Sequence, residues 1–242
     1  MMNVLKKIIA KQNDNKNPGV TVCFLGDSVT QGCFEIYRET PEKIQTVFDK
    51  SCAYHKYFAD IFTELCPGVP INIINSGISG ASAPLSLGLI DELVLKNHPD
   101  LVVVCFGLND AGGGVETVED YTSALLGIFK KIKEIGADII FMTPNMMCTK
   151  LSPHVNDELA ESIANRMINC QTGGRMDKFM DAARELCKKE GVIVCDCYKK
   201  WKRMQECGIN VTELLSNKIN HPTREMNWLF AYSLVETIFN AD

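Results

Sequence analysis

Five short stretches of the chain are continuously apolar, and the segments between them carry apolar residues at helical spacing. The runs cover 20–25, 70–74, 100–106, 138–143 and 191–196 and are dominated by Val, Ile, Phe and Cys. A strand with one wet face alternates apolar and polar positions. A run without alternation predicts a strand covered on both faces, as in a parallel sheet. Between the runs, 51–65 sets Tyr54, Tyr57, Phe58, Ile61, Phe62 and Leu65 on one helical face. Residues 117–135 do the same with Val118, Tyr121, Leu125, Ile128, Ile132 and Ile135, opening on Thr117 and Asp120 in a capping-box-like start. Residues 178–189 and 224–239 complete the helical set. Strands that alternate with helices predict an α/β fold, three layers α/β/α, with right-handed crossovers. No repeat, low-complexity tract or linker interrupts the pattern, so 1–242 reads as one domain.

Two segments exceed the minimal alternation. Residues 31–50 form a long connection of mixed charge with Pro41, and 145–174 a longer one with a helical pattern near 156–168 (Leu159, Ile163, Met167). Connections of this length are usually functional or disordered. Each follows the carboxyl end of a strand, so both can cover the site; a lid that sets specificity, with 145–174 as the insertion, is the preferred reading, and a plain surface excursion is the other.

Composition removes several classes. Hydrophobic residues make up 46% of the chain, enough for a sizeable core. The net charge is −5, and no Lys/Arg cluster is interleaved with aromatics, so no nucleic-acid partner is expected. The first apolar stretch, 5–10, is broken by Lys6 and Lys7 and is too short for a signal peptide. No stretch reaches the roughly 18 apolar residues of a membrane span. The expectation is a cytoplasmic protein without integral membrane contact, its oligomeric state open. Most of the eleven cysteines sit in apolar contexts, such as Cys23, Cys105 and Cys187, where a thiol behaves as a small hydrophobe. Cys195 and Cys197 form a C-x-C pair with no second pair at zinc spacing, so no metal is expected.

The chemistry gathers in four short segments. Gly26-Asp27-Ser28 ends the first strand, at the sheet edge where open α/β folds bind ligands. Taken alone, Ser28 or Asp27 reads equally well as a helix cap. Asn75-Ser76-Gly77-Ile78-Ser79-Gly80 follows the second strand, with glycines that permit close backbone approach. It half-matches the G-x-S-x-G elbow, but Ala81 stands where the last glycine belongs. Gly107-Leu108-Asn109-Asp110 ends the third strand and can aim the Asn109 amide at the same cleft, or simply turn. Asn217-Lys218-Ile219-Asn220-His221-Pro222 precedes the last helix. Among His55, His98, His154 and His221, only His221 lies at such a loop-to-helix junction near the C-terminus. A serine nucleophile needs a base and donors for the oxyanion it creates, and these segments supply both.

In combination the four segments resemble the blocks of the SGNH/GDSL hydrolase family, which carry Ser, Gly, Asn and His in that chain order. The resemblance spans essentially the whole chain. It implies a flavodoxin-like fold with five parallel strands and acyl-ester hydrolysis through an acyl-enzyme, without cofactor or metal. Ser28 would be the nucleophile and His221 the base. The Ser28 and Gly80 backbone N–H groups and the Asn109 side chain would form the oxyanion hole. The substrate would be a small-molecule ester, with short acyl groups on a carbohydrate as the leading choice. A lysophospholipase or thioesterase lies within the same chemistry, and a catalytically impaired binding protein on the same fold lies outside it.

One position departs from the family. Its aspartate usually stands three residues before the histidine, and Lys218 occupies that place here. The imidazole therefore needs another orienting acceptor. Sequence offers the Asn217 side chain, a backbone carbonyl within 216–218, Asp27 beside the nucleophile, and, more remotely, Asp196.

Overall fold

The computed structural model describes residues 1–241. At its centre β1 (Val20–Gly26) lies parallel between β4 (Ile71–Gly77) and β5 (Leu101–Cys105). The sheet continues in parallel through β6 (Asp138–Met142) to β7 (Ile193–Cys195). The spatial order is β4-β1-β5-β6-β7. Counting only these strands in chain order, that is 2-1-3-4-5, the flavodoxin-like winding whose switch point falls beside the first strand. The five apolar runs of the sequence are these five strands. Residues 101–105 are buried at every position, as two-sided coverage requires.

Helices cover both faces. On one side lie α1 (Asn3–Asn13), α3 (Tyr54–Leu65) and α10 (Arg224–Asn240). Val4, Ile8, Phe58, Phe62 and Ile238 from these helices meet Val20, Val22, Ile71 and Leu101 of the sheet. On the other side α4 (Ala83–Gly88) packs on α6 (Val118–Glu134), and α6 on α8 (Arg175–Glu190). Thr117 caps α6 by accepting from the Asp120 N–H at 3.1 Å. The short α5 (Ile90–Leu93) leads toward β5, and α9 (Cys197–Glu206) leads away from β7.

The two long connections have definite structures. After β1 the four-residue α2 (Ser28–Gln31) ends at Gly32, and the chain enters an antiparallel hairpin, β2 (Cys33–Thr40) and β3 (Lys43–Phe48). The second connection is less a lid than a packed insertion. Residues 144–148 are fully buried, and α7 (Glu158–Thr172) sends Ala160, Ala164, Met167 and Cys170 into the core. Only the stretch between them runs along the rim, where Asp157, the N-cap of α7, receives the Arg38 guanidinium from the hairpin at 2.7 and 2.8 Å.

Candidate active site

Ser28 opens α2 directly beyond the carboxyl end of β1, so the winding of the sheet places its hydroxyl at the switch point. Asp27 caps this helix: its carboxylate accepts the Val29 N–H at 2.9 Å. The same local logic sets the other segments. Asn75 accepts the Gly77 N–H through its side-chain oxygen at 3.0 Å and fixes the turn after β4. Gly77 has no room for a side chain, because a Cβ there would lie 2.3 Å from the backbone nitrogen of Gln31. Gly80 carries φ +79°, a left-handed conformation that glycine adopts without strain. The Gln31 side chain accepts the Ser79 N–H at 2.7 Å, which pins this turn to the end of α2.

Asn109 is tied to the same turn, its amide donating to the Ala81 carbonyl at 2.9 Å. Its neighbour Asp110 accepts the Ala83 N–H at 2.8 Å, while the other Asp110 carboxylate oxygen is buried without a partner. Neither the Ser28 nor the Gly80 amide N–H has an acceptor among the described residues. Burial pushes the Asp110 carboxyl up to about 6. It pushes Asp27 up to about 7, and the charge of Asp110 adds to the effect.

His221 reaches the site from the junction before α10. Its Nε2 lies 3.0 Å from Ser28 Oγ, and its Nδ1 lies 2.8 Å from the backbone oxygen of Phe34 in the hairpin. A carbonyl can only accept, so Nδ1 carries the proton. In the neutral ring that leaves Nε2 with its lone pair toward the serine hydroxyl. Both groups are nearly inaccessible, Ser28 at 4% exposure and His221 at 6%. Burial holds the imidazole down to about 4, partly opposed by the Phe34 carbonyl and the Glu35 carboxylate. The ring is thus a neutral, oriented acceptor facing a hydroxyl, the arrangement that general-base activation of a serine requires.

The orienting group is not one that the sequence offered. The Asn217 oxygen turns to the backbone of its own loop and accepts the N–H groups of Ile219, Asn220 and His221 at 2.9, 2.9 and 3.0 Å. It therefore builds the loop rather than orienting the ring. Asp27 is engaged as the cap of α2. Asp196 pairs with Arg184 and Thr143 at the end of β7. Lys218, with φ +58°, turns its ammonium to Glu213. No carbonyl of 216–218 serves either, since the Phe34 oxygen occupies Nδ1. A backbone carbonyl has no side-chain signature, so neither composition nor motif spacing could have singled it out.

The remaining histidines lie elsewhere. His55 is buried against Asn75 at 2.9 Å and held down to about 4 by burial. His98 turns the chain before β5, and His154 lines a cavity of about 200 Å³ with Glu35, Asn156 and Lys218. No group of three or more His, Cys, Asp or Glu side chains stands in metal-binding array among the described residues. No helix among them is long and apolar enough to cross a membrane.

The doubly wound sheet thus gathers the Ser, Gly, Asn and His segments at one edge. The chain belongs to the GDSL-like lipase/acylhydrolase family, whose pattern matches residues 24–229. It is 25% identical over 135 residues to an acetylxylan esterase of Geobacillus stearothermophilus, a match over 52% of this chain and 60% of that enzyme's length. Its fold resembles the crystal structure of Axe2, an acetylxylan esterase from Geobacillus stearothermophilus, with a TM-score of 0.68 at 18% identity over 91% of this chain and 94% of the other. The acetyl xylan esterase AlAXEase is similar with a TM-score of 0.65 at 17% identity, over 90% of this chain and all of that one.

Proposed function

We propose that the protein is a serine esterase that removes short acyl groups, acetyl foremost, from a carbohydrate or a comparable small alcohol. The observation that carries this reading is the relay from Phe34 oxygen through His221 to Ser28 Oγ, at 2.8 and 3.0 Å. His221 takes the serine proton as Oγ attacks the ester carbonyl. The negative charge that develops on the carbonyl oxygen is met by the Ser28 and Gly80 N–H groups and the Asn109 amide. His221 then passes the proton to the leaving alcohol, and an acyl-serine remains. Water, deprotonated by the same imidazole, attacks the acyl group and restores the hydroxyl. The choice of acyl group rests on what the similar acetylxylan esterases are named for.

The test is intact mass after treatment with a fluorophosphonate, for wild type and Ser28→Ala, with release of acetate from acetylated xylo-oligosaccharides measured alongside. A single adduct and acetate release, both lost in the variant, are expected. A wild type that forms no adduct and releases no acetate refutes the reading and leaves a binding protein on the same fold. Faster turnover of long-chain than of acetyl p-nitrophenyl esters would keep the serine and move the substrate toward lipids.

A further inference from the structure

The acceptor at His221 Nδ1 is a neutral carbonyl carried by a two-stranded hairpin, an element that is marginal by itself. Two things are therefore missing relative to a triad with an aspartate: a rigid mount for the acceptor, and a negative charge to stabilise the imidazolium that forms when the serine attacks. Three side chains around the base of the hairpin supply both.

Arg224 is the first residue of α10, three positions after His221, so it moves with the histidine's own element. Its guanidinium forks onto Glu35, Nη1 to Oε1 at 2.6 Å and Nη2 to Oε2 at 3.1 Å, while Nε donates to Asp49 Oδ2 at 2.9 Å. The same group lies over the Phe34 ring, 4.4 Å from its centroid. Asp49 closes the base of the hairpin from the other arm, its N–H donating to the Gly32 carbonyl at 2.9 Å. The residue whose carbonyl holds the imidazole is thus gripped at its ring, at its successor Glu35, and at the opposite arm, by one guanidinium. The charges do not cancel: one cation faces two carboxylates. Hydrogen bonds from Arg224 hold Glu35 below its ordinary range, and those from Ser51 and then Arg224 hold Asp49 near 2. The Lys218 ammonium is directed at Glu213, and the Asp27 carboxylate caps α2.

We propose that Arg224, Glu35 and Asp49 form a positioning clamp that fixes the Phe34 carbonyl on His221 and places a net negative charge beside the imidazole, in the role the family assigns to aspartate. The clamp rests on the esterase reading above. It makes the hairpin part of the base rather than an ornament of the rim.

The experiment compares Glu35→Gln, Arg224→Lys and Arg224→Ala with Arg38→Ala, which cuts the other tie of the same hairpin and touches neither Phe34 nor His221. Turnover of p-nitrophenyl acetate gives kcat and KM, and NMR follows the His221 Nδ1–H resonance, assigned by its loss in His221→Ala. Glu35→Gln keeps the resonance and KM and loses about tenfold in kcat. That falls short of the roughly 10⁴ lost at a buried triad aspartate, because Glu35 is partly exposed. Arg224→Ala loses about a hundredfold in kcat, and its resonance exchanges away. Arg224→Lys recovers part of that rate, since an ammonium lacks the fork. Arg38→Ala keeps wild-type kcat. Wild-type kcat in both Glu35→Gln and Arg224→Lys would overturn the clamp while leaving the esterase intact. So would a loss in Arg38→Ala as large as that in Arg224→Ala. A wild type inert to ester and to fluorophosphonate would overturn the esterase reading and the clamp's charge role with it.

Discussion

The depressed basicity of His221 has a kinetic consequence that an ordinary histidine would not show. A general base works only when neutral, and kcat/KM reports the protonation of the free enzyme. With the imidazole held down to about 4 by burial, about 97% of the protein carries a neutral His221 at pH 5.5. At the ordinary value of 6.5 the neutral fraction would be about 9%. The difference is roughly tenfold in rate at that pH, or a little over 1 kcal/mol. The perturbation is therefore pH itself, and the assay is kcat/KM for p-nitrophenyl acetate from pH 8 downward, read at the isosbestic wavelength of p-nitrophenol. Ser28→Ala supplies the blank. Fluorescence of the fully buried Trp201 shows at each pH that the chain is folded. The expected profile is level through pH 5.5 and falls by half only near pH 4. An acid limb at 6 to 7, in protein that is still folded, would show that solvent reaches the imidazole and would refute the argument from burial.

Three further outcomes are expected. His55 and His221, both held down to about 4, give stability that is present above 6.5 and lost as pH falls through 4; Asp27 and Asp110, raised to about 7 and about 6, give stability present below 3.8 and lost as pH rises through those values. Near pH 5.5 each pair binds about two protons in opposite states of folding, so urea unfolding of the wild type is nearly level there, whereas Asp27→Asn unmasks a slope of about 1 kcal/mol per pH unit, stability falling toward acid; a level profile in that variant would contradict the assignment. Gly77→Ala drives a Cβ into the backbone of Gln31 and should cost about 1–3 kcal/mol in thermal or urea unfolding, with kcat falling because the Gly80 turn shifts against α2; an unchanged melting temperature would refute it. Asn217→Asp keeps an acceptor for three N–H groups and should retain most activity, while Asn217→Ala loses about 1–3 kcal/mol of stability and Asn217→Ala remains far more active than His221→Ala; equal losses in these two alanine variants would mean that Asn217 acts on the ring after all.

The sheet was readable because burial on both faces leaves no room for polar residues: Val102-Val103-Val104 has one interpretation, and the structure has it. Other elements wrote weaker patterns. Helix α1 buries only Val4, Leu5 and Ile8 among its lysines, and α9 only Cys197, Tyr198 and Trp201, too few contacts to impose a period. The hairpin was unreadable as strands because only its first two positions are buried and its distal end carries Arg38, Glu39 and Lys43, too little apolar pattern to record the pairing. Segment 145–174 misled for the opposite reason. Its length suggested a cover, yet Met146, Met147 and Cys148 fill the core. At the site, side chains that meet side chains announced themselves: Ser28 and His221 do stand together. The Phe34 carbonyl belongs to every residue type equally, so its part could emerge only from the path of the backbone.

Ser28 and Phe34 belong to one stretch of chain, separated only by a single helical turn and Gly32, and between them they engage both nitrogens of the ring. Both fall within seven residues of the chain, and Arg224 ties the hairpin that carries Phe34 to the element that carries His221. A displacement of the histidine loop therefore bears on both contacts of the ring at once, the one to Ser28 and the one to Phe34.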